Sequence, residues 1–378
     1  MMKYILLPLF LLLLAGCSSK TNKELPPAQL VSFDAETTLD KQWSRSIGNG
    51  QGDGYSILTP AVQDDVVYAA AVNGEIQAIQ SSSNDTLWKR NLGVAISGGV
   101  SVHHDTLVLS TLKGQVIALS ASTGEKLWNA FAGSEVISAA ALNNDLVVVQ
   151  TVDDRLLALD INTGAQRWSY VGSPAILTLR GTGSPLIAGN MVLAGLSNGK
   201  VVAVDIQTGT LVWEAEVATP HGRDEIERMV DIDGGLFVSQ GVVYVAAYQG
   251  KVAGLELATG QLLWEKDASS YMGVSHGLDA VYVSEADGTV EAIDVKTGAS
   301  LWKNDALARR QLSAPTVFDG YVVVGDFEGY LHVLSQADGR FVGRKRIDSA
   351  GLRAPALVVD DTLYVYGNSG KLVALTLE

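Results

Sequence analysis

The chain predicts an all-β fold, an eight-bladed β-propeller of four-stranded antiparallel blades, and three observations predict it. A hairpin motif recurs at intervals suited to one blade. No window sustains helical periodicity. A lone strand near the start carries what the last copy of the motif lacks.

The motif is clearest in Val116-Ile-Ala-Leu-Ser-Ala-Ser-Thr-Gly124-Glu-Lys-Leu-Trp128, which recurs as Leu156-Leu-Ala-Leu-Asp160-Ile-Asn-Thr-Gly164-Ala-Gln-Arg-Trp168 and again from Val201 to Trp213. Two short strands flank a Thr-Gly turn in each. Further copies end at Trp264 and Trp302, a variant with Ser-Asn-Asp in the turn ends at Trp88, and Phe341 replaces the tryptophan in Ala337-Asp-Gly339-Arg-Phe341. Upstream of each hairpin lies another apolar strand ending in a turn, as in Val66-Val-Tyr-Ala-Ala70 before Asn73-Gly74, a pair that supplies the positive φ of a tight hairpin. Those turns fall at Gly74, Gly114, Asp154, Gly199, Gly250, Gly288, Gly329 and Gly370, which makes eight units; only Asp154 is not glycine.

The eighth copy runs from Leu363 to Leu375 and stops before its last aromatic strand, whereas Lys41-Gln42-Trp43-Ser44 is such a strand with no hairpin before it. Pairing the two would close the ring and remove a free edge. Every tryptophan then occupies one repeat position, where a large ring packs between blades as core.

The beginning of the chain reads differently. Lys3 precedes an apolar run from Tyr4 to Leu14, which has the length and flank of a signal peptide and is too short to span a bilayer. Leu14-Ala15-Gly16-Cys17 resembles the lipobox of bacterial lipoproteins, which implies a signal peptide over 1–16 and acylation of Cys17. Ser18 in place of Asp resembles the sorting pattern that directs such proteins to the outer membrane. Residues 17–40 read as lipidated cysteine and flexible tether, with Pro26-Pro27 and no periodicity, and 41–378 as the propeller. Cys17 is the sole cysteine, so the folded part contains no disulfide. A net charge of −14 argues against nucleic acid as a partner, and the lipid anchor is the expected membrane contact.

Chemical motifs mostly fail on context. Gly273-Val-Ser275-His-Gly277 matches a nucleophile elbow but falls on the first strand of the sixth blade, not on a strand-to-helix turn. Asp231-Ile-Asp233-Gly234 resembles the start of a calcium loop, yet its twelfth position is Val242. The histidines are scattered and lack metal-ligand spacing. No catalytic residue, metal or cofactor is expected.

The repeat resembles that of the pyrroloquinoline quinone dehydrogenases, which implies a rival reading as a small quinoprotein enzyme. Those enzymes are longer and carry adjacent cysteines at the cofactor, which this chain lacks after Cys17. A propeller binding envelope glycan or another ligand in its funnel is a third reading.

Lipobox, tether and eight blades together resemble the BamB family, propeller lipoproteins of the outer-membrane β-barrel assembly machinery, over nearly the whole chain. Two segments, Leu177-Thr-Leu179-Arg180-Gly181 and Glu225-Ile-Glu-Arg228-Met-Val-Asp231-Ile-Asp233, resemble that family's partner-binding loops. The tryptophan spacing points to the same places: Trp168 to Trp213 is 45 residues and Trp213 to Trp264 is 51, against 40 from Trp88 to Trp128. Consecutive connections of one type are neighbours on one end, and elaborated loops on a rigid scaffold are where binding usually lives.

The resemblance implies a non-catalytic scaffold that binds the periplasmic POTRA domains of BamA, joins the rest of the complex through it, and contacts unfolded outer-membrane clients, for instance by β-augmentation. Leu177 and Leu179 would be apolar anchors, with Arg180, Arg228, Asp231 and Asp233 supplying directional charge. Arg180 pairing with Asp231 to brace the loops is the structural alternative. The short link between the first two blades departs from some relatives.

Overall fold

The structure, a computed structural model, describes residues 25–378 apart from 53, 55, 56, 180, 182 and 278. Cys17 and Arg180 lie outside the described residues.

The middle strands of a blade, such as Val66–Ala70 and Glu75–Gln80, are buried on both faces, because blades stack side by side and sandwich them. Their continuous apolar runs follow from that. The outermost strand, Thr86–Asn91 in blade one, buries only its tryptophan. Eight antiparallel four-stranded sheets form in this way among the described residues. Blades one to seven span 61–91, 101–131, 141–171, 186–216, 237–267, 274–304 and 316–346.

Blade eight takes three strands from 357–377 and its fourth from Leu39–Ser46, which pairs antiparallel with Lys371–Leu377 and sets Trp43 opposite Ala374. The orphan strand therefore closes the ring as the repeat demanded. The same bulge recurs between third and fourth strands and sets each tryptophan opposite a small residue: Ala78, Ala118, Ala158, Ala203, Gly254 and Ala292 face Trp88, Trp128, Trp168, Trp213, Trp264 and Trp302.

All seven indoles share one contact, and six share a second. Each Nε1–H donates to a carbonyl of the next blade, from Trp43 to Ser81 at 2.7 Å through Trp302 to Gln336 at 2.8 Å. Six of the rings also lie over that blade's Thr-Gly glycine, or over Gly339 in blade seven. Gly164 has φ +71°, and a Cβ there would come within 2.6 Å of the Trp128 ring. Only glycine meets both demands.

Strands alternate in direction, so every connection from the fourth strand of one blade to the first of the next emerges at one end of the ring, here termed the connector end. The turns between second and third strands share that end. Their left-handed residue is the expected one at Gly74, Gly114, Asp154 (φ 58°), Gly199, Gly288, Gly329 and Gly370, but in blade five it is Gln249 rather than Gly250. There Tyr248 bridges to Asp231 of the preceding connection, which displaces the turn by one residue.

One expectation is corrected. The stretch before Leu39 was read as flexible tether, yet from Leu25 onward it is docked along blade seven. Ala28 N–H donates to Ala308 O at 2.9 Å, and the N–H groups of Glu36 and Thr37 both reach Val342 O. Leu30 and Phe33 join an apolar cluster with Phe341 and Leu312. A reading by periodicity passes over two apolar residues set among polar ones.

Candidate partner-binding site

The two long connections, 172–185 and 217–236, flank blade four at the connector end. Each is anchored by polar contacts to the rigid sheets. Asp154, held left-handed in a blade-three turn, accepts from Ser197 N–H at 3.1 Å and from Ser197 Oγ at 2.7 Å, and Ser197 Oγ accepts from Ala175 N–H at 2.9 Å. The root of 172–185 is thereby tied to blades three and four together.

The second connection begins with a tight turn closed by its own carboxylates. Asp224 Oδ1 accepts from the N–H groups of Ile226 and Glu227 at 3.0 and 2.9 Å, and Glu227 Oε2 accepts from Arg223 N–H at 2.7 Å. This is the logic of a helix N-cap applied to one turn. It then dives inward: Val230 and Ile232 enter the core with Val243 and Val245. Ile232 lies so close to Gly195 that a Cβ there would meet its Cγ2 at 2.2 Å.

The connections also grip each other. Leu179 N–H donates to Asp231 Oδ2 at 2.9 Å. Gly181 sits against the Asp233 carboxylate, where any side chain would collide at 2.3 Å, and Gly183 rests on Gly234 O.

The predicted residues divide accordingly. Leu177 is exposed and Leu179 half-buried, while Arg228 is exposed. Asp231 is 1% exposed and Asp233 half-buried, so the carboxylate expected at a polar rim is instead turned onto the neighbouring loop's backbone. Burial, and then the proximity of Asp233, pushes the Asp231 carboxyl above the ordinary carboxylate range; burial raises Asp233 as well.

Two residues were not singled out from the sequence. Ile176 is 89% exposed and Ile226 66%, one on each connection; Ile176 follows Ala175, whose N–H is held by Ser197 Oγ, and Ile226 sits in the turn closed by Asp224, its carbonyl accepting from Gln249 Nε2 at 3.4 Å. Their sequence signal was faint, since a single isoleucine among polar loop residues is common. Elsewhere Ser275 sits on the inner strand of blade six, where its Oγ accepts from Val317 N–H at 3.2 Å, a structural bond between neighbouring blades. Among the described residues no cluster of His, Cys, Asp or Glu is arranged to hold a metal ion.

Comparison with known proteins bears on these features. The family model described as outer membrane protein assembly factor BamB matches residues 72–304 and 286–378. A Pseudomonas aeruginosa protein named outer membrane protein assembly factor BamB is 58% identical, with 97% of this chain and 96% of that protein covered. The crystal structure of BamB from Moraxella catarrhalis superposes with a TM-score of 0.83 at 30% identity, covering 89% of this chain and 99% of that one. A quinohemoprotein alcohol dehydrogenase from Comamonas testosteroni also superposes, with a TM-score of 0.71 at 15% identity over 89% of this chain and 76% of its own, a likeness of fold alone. The chain belongs to the BamB family of outer membrane protein assembly factors.

Proposed function

We propose that this propeller is a non-catalytic scaffold lipoprotein, carried by an acylated Cys17 on the periplasmic side of the outer membrane after removal of residues 1–16. It binds POTRA domains of BamA and through BamA joins the remainder of the complex, where it assists insertion of outer-membrane β-barrel proteins. The observation that carries the reading is the paired connections around blade four. Ile176, Leu177 and Ile226 stand exposed on loops whose backbones are hydrogen-bonded to Ser197 and Gln249 and within the Asp224 turn, which reduces the ordering entropy lost when a partner covers them.

Asp231 and Asp233 act beneath that surface, holding 172–185 and 217–236 in mutual register, while Arg180 and Arg228 provide its charge. Membership of the assembly-factor family supports this reading over the quinoprotein one, for which the chain supplies no cysteine beyond Cys17.

Co-purification of BamA with Leu177→Ala, Arg180→Ala and Ile226→Ala variants tests it. An interface anchor costs roughly 2 kcal/mol on truncation, about a thirtyfold loss of affinity. Unchanged capture by all three correctly folded variants would refute the assignment.

A further inference from the structure

Phe341 is the one repeat position without tryptophan, and its neighbourhood explains why. Every indole packs toward the hairpin that joins the third and fourth strands of the next blade. For blade seven that hairpin does not exist, because the third and fourth strands of blade eight, Lys371–Leu377 and Leu39–Ser46, come from opposite ends of the chain. Phe33 fills the gap, stacked on Phe341 with ring centroids 5.6 Å apart.

A line of buried and half-buried polar groups runs beneath. Asp326 Oδ2 accepts from Arg310 Nε and meets His332 Nε2, both at 2.8 Å, and Arg344 Nε donates to His332 Nδ1 at 3.0 Å. The N-terminal segment supplies a carbonyl acceptor to each arginine. Arg310 Nη1 donates to Ala28 O at 3.0 Å and Arg344 Nη1 to Val31 O at 2.9 Å, while the Arg344 guanidinium lies 4.9 Å from the Phe33 ring centre. Arg309 Nε donates to Pro26 O at 2.8 Å. Undocking would deprive Arg310, which is 3% exposed, of an acceptor and strip an aromatic face from Arg344.

The direction of the docked segment matters as much as its grip. Glu36 and Thr37 lie against Val342, near the end opposite the connectors; Val31 lies beside Arg344; Ala28 reaches Ala308, which belongs to the connection between blades six and seven. Followed backward, the chain therefore leaves the propeller at the connector end.

We infer that residues 25–37 are a clasp over the ring's seam that brings the membrane anchor out at the connector end, so that the end bearing the two long connections faces the lipid surface. The inference rests on the proposed acylation of Cys17. With the clasp docked, the stretch from Leu25 back to Cys17 spans at most roughly 29 Å, whereas a free tether from Leu39 would span roughly 80 Å. The short leash holds the partner-binding connections on the membrane side; the long one would let the propeller turn freely.

The full lipidated chain, reconstituted in phosphatidylethanolamine and phosphatidylglycerol vesicles containing a quencher lipid, tests this. Lys113→Cys places a fluorophore at the connector end and Lys296→Cys places one at the opposite end, both at exposed positions. Quenching several-fold greater at position 113 than at 296 is expected. A Gly/Ser insertion of about twenty residues between Glu24 and Leu25 lengthens the leash by several tens of Å without touching the clasp and should abolish the difference. Phe33→Ala combined with Arg344→Ala should do the same by releasing the clasp, with exposure of residues 25–37 to protease as its independent sign. Equal quenching at both positions in the parent chain, stronger quenching at 296, or a difference that survives the insertion overturns the inference. Failure of the parent chain to sediment with vesicles overturns the anchor itself, a separate outcome.

Discussion

Replacing Trp128 probes the contact on which the ring is built, and its cost can be worked from the structure. The side chain is 8% exposed, its Nε1–H donates to Ile161 O at 2.8 Å, and its ring covers Gly164 of the next blade. Trp128→Ala deletes the ring and leaves a cavity between blades two and three, at a cost of about 3–5 kcal/mol. Trp128→Phe keeps most of the apolar contact but leaves the Ile161 carbonyl without that donor, at about 1–3 kcal/mol.

A third variant separates packing from backbone strain. Gly164→Ala places a Cβ 2.6 Å from the ring on a residue with φ +71°. In the Trp128→Ala background the collision disappears and only the left-handed backbone cost of about 1–2 kcal/mol remains. Urea denaturation followed by far-ultraviolet circular dichroism reads all of these. The expected order is Trp128→Ala above Trp128→Phe, with the Gly164→Ala penalty shrinking once the indole is gone. A Trp128→Ala loss below about 1 kcal/mol, or a Gly164→Ala penalty identical in both backgrounds, would refute the claim that indole against turn glycine holds adjacent blades together.

Two further predictions concern carboxylates in turns. Arg167, followed by Thr163, holds the Asp160 carboxyl down to about 2, so its ionised form stabilises the fold at neutral pH and that contribution fades as pH falls from about 4 toward 2; Asp160→Asn should be less stable at pH 7 and indistinguishable from the parent near pH 2, measured by thermal midpoint across that range. Asp154→Ala removes the acceptor of Ser197 N–H and Oγ at a left-handed position, and should cost about 1–3 kcal/mol while hastening proteolysis within 172–185 relative to the rest of the chain.

Ring number and closure were legible because they rest on repetition. Each blade writes its own copy of the Thr-Gly-Trp hairpin, and Trp43 without a hairpin pairs with a hairpin lacking its tryptophan. The two long connections were legible as excess spacing. Features made by a single tertiary encounter were not. Leu30 and Phe33 carry no periodicity, and Arg310 and Arg344 look like ordinary surface charges until the fold buries the first and half-buries the second beneath the clasp. Asp231 looked like an interface charge because sequence shows its type and not its depth. The shift from Gly250 to Gln249 in blade five comes from Tyr248 pairing with a residue of the preceding connection, a contact that no local pattern encodes.

The placement of these features around the ring carries a mechanical consequence. The long connections flank blade four, and closure is made in blade eight, so an eightfold ring sets them diametrically opposite. The seam is the one blade held together across the chain ends, by hydrogen bonds and packing and with no turn joining its third and fourth strands. A partner bound at 172–185 and 217–236 as proposed would load blade four and its neighbours, each a continuous stretch of chain. The clasp adds Phe33 and main-chain acceptors for Arg310 and Arg344 on the seam side, where an anchor at Cys17, acylated as proposed, would otherwise pull directly on strand Leu39–Ser46. With Cys17 acylated as proposed, tension along the leash would be taken first by the contacts of residues 25–37 with blade seven, and the strand that closes the ring would bear it only after the clasp had let go.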